Sequence, residues 1–144
     1  MGIVEQLSTS FLASVAFGII FNAPKASLAI CGLVGMAGWM IYFLLVQYQV
    51  EQALATLAGA FFVAVFSQFF SRKYKTPSII FSVMGIIPLV PGGLSYDAMR
   101  NFVENDYSEA LQLAARAFMI SGAIAFGLVF SEVINQLIKR RKLR

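Results

Sequence analysis

Long apolar stretches alternate with short polar connections along the chain, and this alternation predicts membrane-spanning helices. Four of the stretches cover about residues 3–22, 27–46, 53–71 and 110–135. At 1.5 Å per residue, a helix of about 20 residues crosses an apolar layer of about 30 Å. Turn signals separate the stretches, as at Asn22-Ala23-Pro24-Lys25, where proline and the residue before it oppose helix continuation. The connections are short, so we expect a single transmembrane domain over residues 1–144.

A further apolar stretch, over about residues 77–96, is interrupted. Its first part is apolar or small, but Pro88-Leu89-Val90-Pro91-Gly92-Gly93 breaks the helical pattern. Proline removes a backbone donor, and glycine permits conformations that other residues avoid. The predicted fold class is therefore all-α: an integral membrane helical bundle of about five transmembrane helices, the fourth interrupted at Pro88–Gly93.

The segment after the interruption is more polar. Met99–Glu104 predicts a short amphipathic piece at the membrane interface. Asp106-Tyr107-Ser108-Glu109 resembles a capping box, which predicts that the last helix begins near Tyr107. That helix is expected to continue to a basic tail at residues 139–144.

Composition supports the membrane class and narrows the chemistry. Hydrophobic residues make up 59% of the chain and charged residues only 12%, with a mean hydropathy of +0.78. Soluble domains carry about a quarter charged residues, so too few polar groups are present to cover a water-facing surface. There is no histidine, and Cys31 is the only cysteine. We therefore expect no enzyme, since no nucleophile–base system is visible, and no cofactor or metal.

The basic residues lie on one side of the predicted bundle. Nine of the eleven Lys and Arg residues fall at the same side when five crossings are assumed. The positive-inside rule then places the N-terminus outside and the C-terminus in the cytoplasm. If the interrupted stretch merely dipped into the bilayer and returned, the basic residues would divide between two sides, so a full crossing is favoured. The tail is expected to contact anionic lipid rather than nucleic acid.

The interruption is the strongest functional signal. Pro88 lies 11 residues after Pro77, which is about 17 Å into the apolar layer. Unwound backbone at that depth must be buried in protein or line a watery cavity, and interrupted helices commonly build transporter sites. The N–H groups of Gly92, Gly93 and Leu94 are then predicted to face an anionic group such as a carboxylate. The pattern leaves open a simpler interpretation, a kinked span with the motif as its exit turn.

Other polar residues within apolar stretches are weaker candidates. Arg116 near the outer end of the last span has either a substrate or partner role, or extends to the interface. Glu132 lies seven residues before Lys139, so a local ion pair is favoured over proton coupling, and Gln68 is also polar within a span. The predicted substrate-binding residues are Pro88, Pro91, Gly92, Gly93, Ser95, Tyr96, Asp97 and Arg116.

Small residues recur at intervals of three or four positions, as at Ser10, Ser14 and Gly18 and at Gly32, Gly35 and Gly38. Such spacing lets helix backbones approach closely within a membrane. It predicts tight helix packing and carries no chemistry.

The stretch Ile86-Ile87-Pro88-Leu89-Val90-Pro91-Gly92-Gly93-Leu94-Ser95-Tyr96 resembles the threonine/serine exporter family. The similarity is to the C-terminal membrane half of the fused bacterial exporters, which in two-component systems is a separate small subunit; one such relative is associated with succinate export. The resemblance implies a multi-pass protein of the bacterial inner membrane that exports threonine, serine or a small dicarboxylate, driven by an ion gradient. It also implies a larger partner subunit with about five spans, or else a homo-oligomer.

Two other functions remain open from the sequence. One is a subunit that only scaffolds a membrane complex and transports nothing. The other is a homo-oligomeric pore.

Overall fold

A computed structural model describes residues 2–143, and over that range it contains helices and no strands. This confirms the predicted all-α membrane bundle. Short 3₁₀ turns at Lys25–Ser27 and Ile87–Leu89 complete the helical structure. The α-helices are α1 (Ile3–Ile20), α2 (Leu28–Gln47), α3 (Gln52–Tyr74), α4 (Ser78–Ile86), α5 (Gly92–Val103) and α6 (Tyr107–Lys142).

Four helices, namely α1, α2, α3 and α6, are each long and apolar enough to cross a membrane. The remaining pair, α4 with its 3₁₀ turn and α5, passes the same test as a unit but bends by 52° at the break. The bend falls within the predicted interruption at Pro88–Gly93.

Helices α2, α3 and α4 form the centre of the bundle, with α1 packed on α2 and α6 packed on α3. Side chains buried at this centre include Cys31, Val34, Val63 and Phe81. Close approaches between helices occur at glycine, as where a Cβ on Gly59 would lie 3.1 Å from the carbonyl oxygen of Gly38. The predicted packing role of the small residues is thus confirmed for α2 and α3.

Helices α3 and α6 run parallel to each other. A Cβ on Gly127 would lie 2.7 Å from the carbonyl oxygen of Leu57, and further along both helices Gln68 Nε2 donates a 3.1 Å hydrogen bond to Glu132. Because sequence numbers rise together along this contact, α6 begins at the same end of the bundle as α3. The α4–α5 pair must therefore carry the chain from one end of the bundle to the other, as a broken crossing and not as a returning loop.

The two ends of the bundle differ in charge. We call one the basic end, because α3 and α6 both finish there with basic last turns that include Lys73 and residues 139–142. We call the other the acidic end, because Glu51 and Asp106 cap the starts of α3 and α6 there. Arg144 of the predicted basic tail lies outside the described residues.

Helix ends follow local backbone chemistry. Asn22, Gln49, Lys75 and Asn105 adopt left-handed conformations between helices, with φ of 51–65°. A left-handed residue is a common way to terminate a helix. At the start of α6, an Asp106 carboxylate oxygen accepts the Glu109 N–H at 3.2 Å, as the capping-box pattern predicts.

The amphipathic piece predicted at Met99–Glu104 is the second half of a longer helix. Met99–Val103 belong to α5, which begins at Gly92 and runs without interruption to Val103, and Glu104 caps its end. Gly92 and Gly93 are the first two residues of this helix and do not prolong the break, because glycine can also adopt helical backbone angles. The first N–H groups of the helix have no intrahelical acceptor.

Helices α5 and α6 form a hairpin that extends past the other helices at the acidic end. Ile120 of α6 lines the same cavity as Gln52, where α3 begins, so these two residues are level with each other. Residues 107–119 then extend about 20 Å beyond that point at 1.5 Å per residue. Residues 95–103 of α5 pack along this extension, and we call residues 95–103 and 107–119 the projecting hairpin.

Candidate functional site

The break between α4 and α5 is a compact turn with a nearly complete set of internal hydrogen bonds. The Val90 N–H donates to the carbonyl oxygens of Ile86 and Ile87, each at 3.2 Å. The Gly92 N–H donates to the Val90 carbonyl oxygen at 2.8 Å. Proline at 88 and 91 has no N–H to satisfy. The backbone donors of the turn itself are therefore used internally.

Two donors remain just after the turn. Gly93 and Leu94 occupy the first turn of α5, where N–H groups have no intrahelical acceptor. Within residues 2–143 neither N–H has another partner. The sequence predicted three exposed amides, and the Gly92 amide is a correction, because it bonds to Val90. The helix start adds a partial positive charge at the two remaining donors.

The break lies at a level between the two ends of the bundle, with Leu89 buried and Val90, Gly92 and Gly93 exposed on its side. A Cβ on Gly59 would lie 3.3 Å from both methyl carbons of Leu89. Gly59 is seven residues into α3 from Gln52, so the break is about 10 Å inside the acidic end of that helix. This depth agrees with the position expected from the sequence and disfavours the exit-turn interpretation.

A cavity of about 170 Å³ opens against the break, and we call it the break cavity. Residues of the turn and of the α5 start form one wall, and α2, α3 and α6 supply the others. Its lining residues are Trp39, Tyr42, Gln52, Thr56, Pro88, Leu89, Val90, Pro91, Gly93, Leu94 and Ile120.

Polar side chains on α2 and α3 line the wall opposite the turn. Gln52 Nε2 donates to the Tyr42 hydroxyl oxygen at 3.1 Å, and the Thr56 hydroxyl donates to the Gln52 carbonyl oxygen at 2.8 Å. The Tyr42 hydroxyl hydrogen and the Gln52 Oε1 have no partner within residues 2–143. The residues that line the cavity therefore carry three unpartnered donors, the Tyr42 O–H and the Gly93 and Leu94 N–H groups, together with one amide acceptor.

A second cavity of about 210 Å³ lies on the α1 side of the break, and we call it the α1 cavity. Its lining residues are Gln6, Thr9, Ser10, Ala13, Trp39 and Pro88. Trp39 and Pro88 line both cavities, so they form the wall between them. The Trp39 indole N–H donates to Gln6 Oε1 at 2.7 Å, which holds the ring in that wall.

The predicted site residues divide into two groups. Pro88, Pro91 and Gly93 line the break cavity, whereas Gly92, which is exposed like Gly93, is not among the lining residues. The structure does not bring the other four to this cavity. Ser95, Tyr96 and Asp97 lie on α5 in the projecting hairpin, and Arg116 lies exposed on α6 of the same hairpin.

Sequence reasoning missed the residues that face the break from other helices. Gln6, Trp39, Tyr42, Gln52 and Thr56 come from three helices, and 33 positions separate Gln6 from its partner Trp39. The sequence signal that could have identified most of these residues is an amide or hydroxyl side chain at the edge of an apolar stretch. Such residues are common at helix ends, so only the tertiary contacts single them out.

The predicted Glu132–Lys139 ion pair is also absent from the described residues. The Glu132 carboxylate instead accepts hydrogen bonds from Gln68 Nε2 at 3.1 Å and Gln136 Nε2 at 3.2 Å. Two polar residues flagged separately within spans, Gln68 and Glu132, are thus partners between α3 and α6. No group of three or more potential metal ligands occurs within residues 2–143.

Comparison with known proteins places the whole bundle in one family. The family model described as threonine/serine exporter, ThrE, matches residues 6–134, which include both cavities and the broken crossing. No solved structure matches the chain. The matched range is 129 of 144 residues, so the chain belongs to the threonine/serine exporter family of multi-pass membrane exporters.

Proposed function

We propose that the chain is the membrane subunit of a secondary exporter of small carboxylate-bearing metabolites, and that the break cavity binds the substrate during export. The observation that carries this proposal is the pair of unpartnered N–H groups at Gly93 and Leu94, two residues that line the break cavity. Backbone donors at a helix start suit a carboxylate, because their geometry and the helix dipole both favour an anion.

The opposite wall of the break cavity supports recognition of the rest of a small metabolite. The Tyr42 hydroxyl offers another donor, and the Gln52 Oε1 offers an acceptor for an ammonium or hydroxyl group. Threonine and serine carry all three groups: a carboxylate, an ammonium and a hydroxyl. We propose that the carboxylate lies at the α5 start and the ammonium lies toward Gln52.

Charge favours a zwitterion over a succinate-like dicarboxylate. None of the residues that line the break cavity is Lys or Arg. A second carboxylate would be desolvated there without a cationic partner, which is costly. A zwitterion has no net charge, so threonine or serine is the favoured substrate, with the dicarboxylate as the alternative to be tested.

The two-component arrangement, the sidedness and the ion-gradient coupling are parts of the same proposal. With α4 and α5 counted as one span, α1 starts at the acidic end and α6 finishes at the basic end. The positive-inside rule supports an outside N-terminus and a cytoplasmic C-terminus in a bacterial inner membrane. A larger partner of about five spans, with the opposite orientation, would complete an inverted pair of the kind common in transporters.

Gly93 and Gly92 provide a matched pair of substitutions for a test. A Cβ at either glycine has no atom within 4 Å, and both are in the first turn of α5, so Gly93→Val and Gly92→Val carry the same helix cost. Only Gly93 lines the break cavity. We expect Gly93→Val to lower labelled threonine efflux by roughly tenfold, because an added side chain of this size in a binding pocket weakens substrate binding by about that factor. Gly92→Val should leave efflux near the wild-type rate.

Efflux is measured from preloaded cells that lack other threonine exporters, with the membrane level of each variant quantified. Equal efflux by both variants and the wild type would rule out the break cavity as the site and support a scaffold function. Equal loss in both variants, at normal membrane levels, would point to the helix start rather than the cavity. Flux that does not depend on an ion gradient would support a pore.

A further inference from the structure

We propose that an anionic phospholipid binds in a groove between α3 and α6 at the basic end of the bundle. The groove has a volume of about 570 Å³ and lies on the opposite end of the molecule from the break cavity. Its lining residues are Val65, Gln68, Phe69, Arg72, Lys73 and Asn135. We call it the α3–α6 groove.

The residues of the groove are ordered as a phospholipid requires. Val65, Phe69 and Arg72 lie four and three positions apart, so they form one stripe along α3. The two apolar side chains are deeper in the bundle, and the basic residue is at the helix end. The stripe spans about 10 Å at 1.5 Å per residue, with an apolar floor beneath a cationic rim.

The rim offers several hydrogen-bond donors to a phosphate. The Arg72 guanidinium donates to Asn135 Oδ1, which orients it and leaves other guanidinium N–H groups for a ligand. The Asn135 amide nitrogen has no acceptor within residues 2–143. The Lys73 ammonium lies exposed at 5.7 Å from the Tyr74 ring centre, next to this rim.

The one nearby acid does not occupy the groove. Glu132 is not among the lining residues, and Gln68 and Gln136 donate to its two carboxylate oxygens. Beyond Asn135, the last turn of α6 adds the basic residues 139–142. The field at the rim is therefore dominated by positive charge.

Position distinguishes a lipid from a free phosphate as the ligand. Val65 is 38% and Phe69 is 60% exposed, so the floor is an open apolar surface directly below the cationic rim. An inorganic phosphate would leave this floor uncovered, whereas an acyl chain would cover it. Basic pockets between transmembrane helices at the cytoplasmic side are sites at which anionic headgroups bind.

The test compares lipid binding by two double variants of the full-length chain. Arg72→Gln with Lys73→Gln removes two charges at the groove. Arg140→Gln with Arg141→Gln removes two charges of the same end, at positions that point about 140° and 120° away from Asn135 around α6, taking about 100° per residue. Binding of phosphatidylglycerol and of phosphatidylcholine to each purified protein is titrated by native mass spectrometry, with inorganic phosphate in a separate series.

We expect the wild type to prefer phosphatidylglycerol, and the groove variant to bind it at least roughly tenfold more weakly, with a clearly smaller loss in the tail variant, whose charges lie near the rim but do not line the groove. Equal weakening in both double variants would overturn the proposal, because it would indicate a diffuse electrostatic effect. Equal binding of the two lipids, or binding of neither, would also overturn the proposal. Such a result is expected if another protein chain covers the groove instead of a lipid. Displacement of the lipid by inorganic phosphate would assign the rim to a free anion.

A second variant keeps the test independent of any folding defect at Arg72. Val65→Trp fills the apolar floor and keeps every charge, while Leu137→Trp places the same side chain on the opposite side of α6. Weaker phosphatidylglycerol binding in Val65→Trp alone is the expected result. Unchanged binding in Val65→Trp would contradict the placement of an acyl chain on the floor.

Discussion

Single glycines set the distances between helices in this bundle. Small residues at intervals of three and four predicted close packing, and the structure confirms it where Gly38 and Gly59 let α2 and α3 approach. The spacing did not indicate which helices meet. A small residue is equally compatible with several neighbours, so the contact between Gly127 and Leu57 emerges only from the tertiary arrangement.

Gly127 and Gly122 on α6 provide a controlled test of this packing. A Cβ at Gly127 would lie 2.7 Å from the Leu57 carbonyl oxygen and 3.0 Å from the Phe61 nitrogen, both backbone atoms that move only with α3. A Cβ at Gly122 would have no atom within 4 Å. We expect Gly127→Leu to destabilise the protein by about 1–3 kcal/mol and Gly122→Leu to have little effect.

Thermal unfolding in detergent, followed by circular dichroism, measures the difference between these two variants. A midpoint for Gly127→Leu as high as that for Gly122→Leu would show that α3 and α6 are not in close contact at this level.

Polar contacts were less predictable than packing at the residue scale. The sequence identified Gln68 and Glu132 as unusual within spans, but the structure was needed to show that they bond to each other. It favoured Lys139 as the partner of Glu132 because local spacing is all that a sequence displays. The Gln6–Trp39 and Gln52–Tyr42 bonds were likewise invisible, since their partners come from different helices.

At the scale of elements, the break between α4 and α5 is the feature that composition revealed most clearly. Two prolines and two glycines in six positions predicted an interruption, and the bend of 52° lies there. The extent of the break was overestimated, because both glycines belong to α5. Glycine permits unusual backbone angles, but it also permits helical ones, so the sequence alone does not say which of them Gly92 and Gly93 adopt. The packing of α5 against α6 favours the helical conformation.

Replacing the prolines tests whether the break itself is needed for export. In the double variant Pro88→Ala with Pro91→Ala, new N–H groups at 88 and 91 allow α4 and α5 to join, and the Gly93 and Leu94 amides enter the helical ladder. We expect slower amide hydrogen exchange over residues 87–94 together with a large loss of threonine efflux. Proline would cost about 3 kcal/mol in the interior of the joined helix, and alanine avoids this cost. The free energy of unfolding of the double variant is therefore expected to equal or exceed that of the wild type.

Pro77→Ala is the control for this double variant, because Pro77 caps the start of α4, where proline is tolerated. It should leave exchange and efflux unchanged. Slow exchange over residues 87–94 combined with wild-type efflux in the double variant would show that transport does not use the break.

At the scale of the whole molecule, hydropathy and charge predicted the spans and their direction, but they did not predict which helices pack together. Stretch lengths predicted the four long helices, and the grouping of basic residues favoured a full crossing by the interrupted stretch. The parallel contact of α3 and α6 supports that crossing independently of charge, through Gly127 with Leu57 and Glu132 with Gln68. The projecting hairpin was not foreseen, because hydropathy does not report how far one helix is displaced along another.

The crossing of α4 and α5 is tested most directly by the accessibility of single cysteines. In a Cys31→Ala background, Lys75→Cys reports the connection before α4 and Glu104→Cys reports the connection after α5. Glu51→Cys marks the acidic end as a reference. A membrane-impermeant maleimide added to intact cells should label positions 51 and 104, and should label position 75 only after the membrane is permeabilised. Labelling of positions 75 and 104 from the same side would show that the pair returns to the side where it began and would contradict the broken crossing.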